Sequence, residues 1–345
     1  MAYTLSELNR TGVPKLFAGI ESPEQWLEKA KELQAVWIDY IGNRPELTER
    51  GEPDWEVLSE TELEGRRRQH IRYVSAGGDA VTAYLLYPDS EAAGKKAGKR
   101  LPAIVAMHPT SNSGKDDIAS PDGRENRRYA LELAQRGYVV LAPDTITAGE
   151  RVYTAPYRTA PFYEKHPEWT AVGKMLVDHL YGVDLLCRLD RVDPERIGAI
   201  GHSLGGYNAF FLAGLDKRIK AFVSSCGFAT FTGDPNPNRW GVRDWFTHIP
   251  RITEDLQQDK IPFEFHEIAA LAAPAPAFFW SGQADSIFPH WKEISQAMAE
   301  VGQLYRLLGA EDRFLYLMGS GEHDFPDFVR KAAYDFLDRW LKPNG

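Results

Sequence analysis

The chain has 345 residues, 43% of them hydrophobic, enough for a large buried core in one main domain. Its 40 Lys and Arg against 49 Asp and Glu leave a formal charge of −9, so the average surface field repels polyanions and argues against nucleic acid and anionic membrane as partners. The two cysteines, Cys187 and Cys226, are too few for a disulfide scaffold and lack CxxC or zinc-ligand spacing; both read as small buried apolar residues.

The opening MAYTLSELNR has neither the charged start nor the apolar run of a secretion signal, and no apolar stretch approaches a bilayer span, so a cytoplasmic enzyme is expected. Ser22, Pro23 and Gln25 then have the form of a helix start: a capping side chain, a proline at the first helical position and a capping-box partner. Trp26, Leu27, Ala30, Leu33, Trp37, Ile38 and Ile41 recur at helical spacing until Gly42 stops the run. Residues 1–60 are therefore read as a helical amino-terminal extension. Its apolar stripe must pack on the catalytic domain or on a second copy of the chain, which leaves a homo-oligomer open.

From about residue 68 the period changes. Residues 70–74 and 81–86 flank the turn Ala76-Gly77-Gly78-Asp79, which predicts an antiparallel hairpin. After a Gly/Lys/Ala loop over 91–100, the apolar run 103–107 reads as a strand buried on both faces. Helices near 125–136, 174–189, from Ser203, near 290–302 and over 326–341 alternate with strands at 138–142, 197–200, 221–224, 277–280 and 314–317. The expected fold class is α/β: a mostly parallel central sheet with helices on both faces, opened by an antiparallel hairpin, over residues 61–345. Two aromatic-rich stretches, 143–173 and 225–270, break the alternation and are expected to form walls or lids over a site at the sheet edge.

The chemistry centres on Gly201-His202-Ser203-Leu204-Gly205-Gly206, between the 197–200 strand and the following helix. A serine hydroxyl is a weak nucleophile and must be held exposed on a tight turn beside a base, with glycines letting the backbone pass. An orienting acid and a base should follow on loops leaving later strands, in the order acid, then histidine. Asp285 follows the 277–280 strand and His323 the 314–317 strand. Ser203, Asp285 and His323 are thus the candidate triad, with His290 the rival base and His202 a wall residue. The backbone N–H of Leu204 is one candidate oxyanion donor; the second comes from His108-Pro109-Thr110-Ser111, where proline has no N–H and Thr110 precedes Ser111 as the choice.

These segments resemble the dienelactone-hydrolase-like and acetyl-xylan-esterase-like branch of the α/β-hydrolases. The likeness runs over 69–341 and is carried by the hairpin, His108-Pro109-Thr110, Ala142-Pro143-Asp144, residues 193–198 leading into GHSLGG, GQADSIFP and GEHDFP. It implies the α/β-hydrolase fold, a serine esterase without cofactor, a small-molecule ester as substrate, and the same residues as triad and oxyanion donors. Dienelactone hydrolases proper carry cysteine where this chain has Ser203, and the extension and the 225–270 insertion are outside the minimal fold. Two alternatives use the same fold: a peptidase or amidase with the same triad, and a non-catalytic ligand-binding member.

Overall fold

The computed structural model describes residues 3–63, 66–88 and 100–342. Nine strands form one sheet: β1 (Trp55–Leu63), β2 (Arg66–Val74), β3 (Ala80–Leu86), β4 (Leu101–Met107), β5 (Val139–Pro143), β6 (Val192–His202), β7 (Ile219–Ser225), β8 (Ala277–Gly282) and β9 (Phe314–Gly319). The helices are α1 (Leu5–Thr11), α2 (Pro23–Tyr40), α3 (Asp116–Ala119), α4 (Tyr129–Gln135), α5 (Ala160–Lys165), α6 (Ala171–Arg188), α7 (Leu204–Leu215), α8 (Pro250–Gln257), α9 (Phe265–Ala270), α10 (Trp291–Leu307) and α11 (Asp327–Leu341).

The strand order is β1-β2-β3-β5-β4-β6-β7-β8-β9. Pairings up to β3–β5 are antiparallel, and all those from β5–β4 to β8–β9 are parallel. β4 is buried along its whole length. Its Ala103, Val105 and Met107 join one core cluster and Ile104 and Ala106 the other, so both sheet faces are apolar and need a helical cover. Helices α2, α6, α7, α9 and α10 contribute to the first cluster; α3, α4 and α11 contribute to the second.

The expected hairpin is β2–β3, with Val74 opposite Ala80. Strand β1 is an addition: it begins at Trp55, inside the stretch read as helical, and pairs with β2 at the sheet edge. It is mostly exposed and polar, so it carries no apolar run to announce it. The 91–100 loop lies outside the described residues except for Arg100.

α2 starts as its sequence requires, with the Ser22 hydroxyl accepting from Gln25 N and Pro23 in the first turn. Its stripe lies on the catalytic domain: Trp37 is fully buried, its ring centroid 4.6 Å from Phe211 of α7 and 5.5 Å from Phe263. A backbone bridge from Tyr3 to Ile261 and a hydrogen bond from the Thr170 hydroxyl to the Ile41 carbonyl, at 2.7 Å, fasten the extension at further points. Among the described residues no helix is long and apolar enough to cross a membrane.

Candidate active site

At the carboxyl end of β6 the chain turns into α7 through Ser203, whose φ of +55° and ψ of −115° lie outside the usual regions for a residue with a side chain. Space explains the flanking glycines. A Cβ on Gly201 would stand 2.1 Å from the Gly205 carbonyl carbon, and one on Gly205 would stand 1.9 Å from the Met107 oxygen. The turn is therefore pressed against β4, and the Ser203 amide donates to the Ser225 carbonyl at 2.8 Å.

Asp285 leaves the end of β8 and His323 the end of β9. Their loops are stitched together: Gln283 N donates to the Gly319 carbonyl at 2.8 Å and Ala284 N to the Gly321 carbonyl at 3.0 Å. The structure brings the three side chains together. His323 Nδ1 donates to Asp285 Oδ2 at 2.7 Å, and His323 Nε2 accepts from the Ser203 hydroxyl at 2.8 Å. Asp285 Oδ1 takes the amides of Ile287 and Phe288 at 2.8 and 3.0 Å. Burial alone would raise the Asp285 carboxyl, but the His323 hydrogen bond and these amides hold it below the usual carboxylate range. As a carboxylate it fixes the hydrogen of His323 on Nδ1, which leaves Nε2 free to take a proton.

His290 does not reach the serine: it is buried elsewhere, with Nε2 donating to the Thr230 carbonyl at 3.1 Å. His202 is a wall, hydrogen-bonded to the Ser225 hydroxyl at 2.9 Å and kept neutral by burial. Of the cysteines, Cys226 is buried and its thiol is pushed up to about 12, chiefly by burial, whereas Cys187 is only half-buried. Cys226, Asp285 and His323 offer ligand atoms within 4.8 Å of one another. A metal would have to displace the thiol proton and the Asp285–His323 bond, so this trio fits a hydrogen-bonded site better than a metal centre.

Leu204 opens α7, where first-turn amides have no partner within the helix. On the facing loop, Ser111 N already donates to the Tyr157 hydroxyl at 2.7 Å, while Thr110 is exposed and lines the cavity beside Ser203. That favours Thr110 over Ser111. Two residues not anticipated from the sequence hold this loop. His108, fully buried, donates from Nδ1 to the Pro109 carbonyl at 2.7 Å and accepts at Nε2 from Thr145 N at 3.1 Å. Tyr157 lies beneath Pro109 and Ser111, with both carbonyls within 3.2 Å and 3.0 Å of its hydroxyl. The His108–Thr145 and Tyr157–Ser111 pairs are 37 and 46 positions apart in sequence and leave no motif.

The cavity, about 340 Å³, opens over Ser203 and is walled by Trp240, Trp245, Phe246 and Phe288. Trp240, Trp245 and Phe246 belong to the 225–270 insertion, as expected of a wall. The 143–173 insertion does not line it; its Tyr157 ring instead backs Phe246 at 5.8 Å.

Comparison with known proteins agrees with this architecture. The sequence profile of the dienelactone hydrolase family matches residues 93–308. YtaP of Bacillus subtilis (strain 168) is 28% identical over 279 residues, covering 77% of this chain and 85% of that protein. Dipeptidyl-peptidase 5 of Porphyromonas gingivalis is 30% identical over 156 residues, but these cover 44% of this chain and 20% of that protein. A glucuronoyl esterase from Solibacter usitatus superposes with a TM-score of 0.69 over 92% of this chain and 93% of its own at 18% identity, a likeness of fold. The chain thus belongs to the dienelactone hydrolase family, with the α/β-hydrolase fold, and is a carboxylic-ester hydrolase.

Proposed function

We propose that the chain cleaves a small-molecule carboxylic ester through an acyl-enzyme on Ser203. The carrying observation is the hydrogen-bonded line Asp285–His323–Ser203, at 2.7 and 2.8 Å, at the floor of an aromatic-walled cavity. As the Ser203 oxygen bonds to the acyl carbon, its proton passes to His323 Nε2, and the carboxylate of Asp285 stabilises the imidazolium. The amides of Leu204 and Thr110 face the developing oxyanion. Collapse breaks the ester C–O bond, and the leaving alcohol takes the proton from His323. Water, deprotonated by the same nitrogen, then releases the acid.

Labelling with a fluorophosphonate tests the nucleophile. One adduct on Ser203, lost together with ester turnover in Ser203→Ala, is expected; turnover that survives this substitution overturns the reading. The peptidase relative favours an amide reading as the competitor. Esters and amides of one acyl group separate the two, with the ester expected to be cleaved faster, and amide turnover equal to ester turnover supporting the competitor.

A further inference from the structure

Among the polar residues that line the cavity without a part in acyl transfer, Tyr207, His248 and Arg243 form one connected group. Tyr207 sits in α7 one turn beyond the nucleophile, and its amide donates to the Ser203 carbonyl at 3.1 Å, so the two side chains share a helix face. Its hydroxyl lies 2.9 Å from His248 Nε2, and His248 Nδ1 lies 3.4 Å from Arg243 Nη2. A guanidinium can only donate, so Nδ1 is the acceptor. His248 is neutral: burial, and then the Arg243 charge, hold it well below the histidine range against the opposing Arg239 carbonyl. A neutral imidazole accepting at Nδ1 carries its hydrogen on Nε2 and gives it to the Tyr207 oxygen.

In that tautomer Tyr207 is left with a hydrogen of its own to donate, and its hydroxyl has no hydrogen-bond partner besides His248 among the described residues. The neighbouring phenols differ. Tyr163 accepts from Ala171 N at 3.0 Å and donates to the Thr247 carbonyl at 3.1 Å, and Tyr157 is likewise used in both directions. Tyr207 is only 5% exposed, and a buried donor without an acceptor costs about 1–3 kcal/mol unless water or a ligand takes it. Arg243 shows the same incompleteness. The cavity arginines Arg124, Arg127 and Arg239 pair with Asp117, Asp324 and Asp234, whereas Arg243 has no carboxylate partner among the described residues.

We propose that Tyr207 is a substrate-binding donor, its hydrogen turned into the cavity by His248 and Arg243, which selects esters whose non-reacting part carries an acceptor oxygen. The proposal rests on the ester-hydrolase reading. His248 and Arg243 are positioning residues in it.

The test uses nitrophenyl esters in matched pairs, one acyl methylene replaced by an ether oxygen, or a terminal isopropyl group by a carboxylate of similar shape. The readout is the ratio of kcat/KM between oxygen and alkyl members. Tyr207→Phe is expected to lower that ratio about tenfold in at least one pair, chiefly through KM. A purely structural role depresses both members alike and leaves the ratio unmoved. His248→Phe should lower the same ratio, and the double variant should add little more. Response of the ether pair or of the carboxylate pair identifies which oxygen is taken. Ratios within about twofold of wild type in every pair overturn the proposal. So does ¹⁵N NMR of the wild-type protein showing the His248 hydrogen on Nδ1, a measurement that stands even if Tyr207→Phe does not fold. An unmoved ratio with turnover still dependent on Ser203 defeats this proposal alone; turnover independent of Ser203 defeats the reading beneath it.

Discussion

The two oxygens of Asp285 have separate tasks. Oδ1 is held by backbone amides and Oδ2 holds His323, so the carboxylate cannot swing without breaking three hydrogen bonds. Asp285→Asn keeps the shape but puts an NH2 within reach of Nδ1, which favours the tautomer with its hydrogen on Nε2, facing Ser203. Turnover is expected to fall by about 10⁴-fold, with fluorophosphonate labelling slowed in parallel. A loss below tenfold would contradict the orienting role. Tyr157→Phe acts one step further out: it deprives Ser111 N of its acceptor and loosens the loop bearing Thr110. A loss of about tenfold in kcat with little change in KM is expected from steady-state kinetics. Ser203, Asp285 and His323 were legible in the sequence because each sits just past the end of a recognisable strand. Tyr157, His108, Tyr207 and His248 were hidden, since their roles exist only as pairs across the fold.

Elements meet in this molecule through close backbone approaches that leave no room for a side chain. Gly205 is the sharpest case, because the atom it would strike is the carbonyl of Met107 in β4, which cannot rotate away. Gly205→Ala is expected to destabilise the protein by about 3 kcal/mol or more, read as a lowered urea midpoint, and to lose turnover as the Ser203 turn is displaced. Trp37 makes the matching point for α2. Its ring fills the space between Phe211 and Phe263, so Trp37→Ala should cost about 3–5 kcal/mol in the same measurement. An extension that merely rested on the surface would lose far less. The continuous apolar runs made the buried strands legible, and the capping residues did so for α2. β1 escaped because Glu56, Glu60 and Glu62 face solvent along an edge whose pairing comes from β2, not from its own composition.

Across the whole molecule, a buried ionic cluster ties the β2–β3 turn and the 143–173 insertion to α6. Arg151 binds Asp178 at 2.8 Å and Asp79 at 2.7 Å, Lys174 binds Asp79 at 2.9 Å and also Asp178, and Ser75 donates to Asp178 at 2.6 Å. Two cations face two carboxylates, so the charges balance without solvent. Neither this balance nor the placing of β5 between β3 and β4 can be read from a one-dimensional pattern, since each depends on which distant segments become neighbours. Burial alone would raise the Asp178 carboxyl, yet Arg151 and Lys174 bring it down to about 2. A carboxyl depressed on folding contributes stability above the ordinary carboxylate pKa of about 4 and loses it as pH falls toward 2, a change on the order of 2 kcal/mol. Asp178→Asn removes this contribution and leaves Arg151 and Lys174 short of one charge, so the variant should be several kcal/mol less stable near pH 7. The gap between wild type and variant should then narrow between about pH 5 and pH 2, because the unfolded wild-type chain takes up a proton on Asp178 there before the folded one does. Urea unfolding of both proteins at several pH values measures that gap directly, and a gap that stays constant through the range would mean that the cluster does not hold Asp178 ionised.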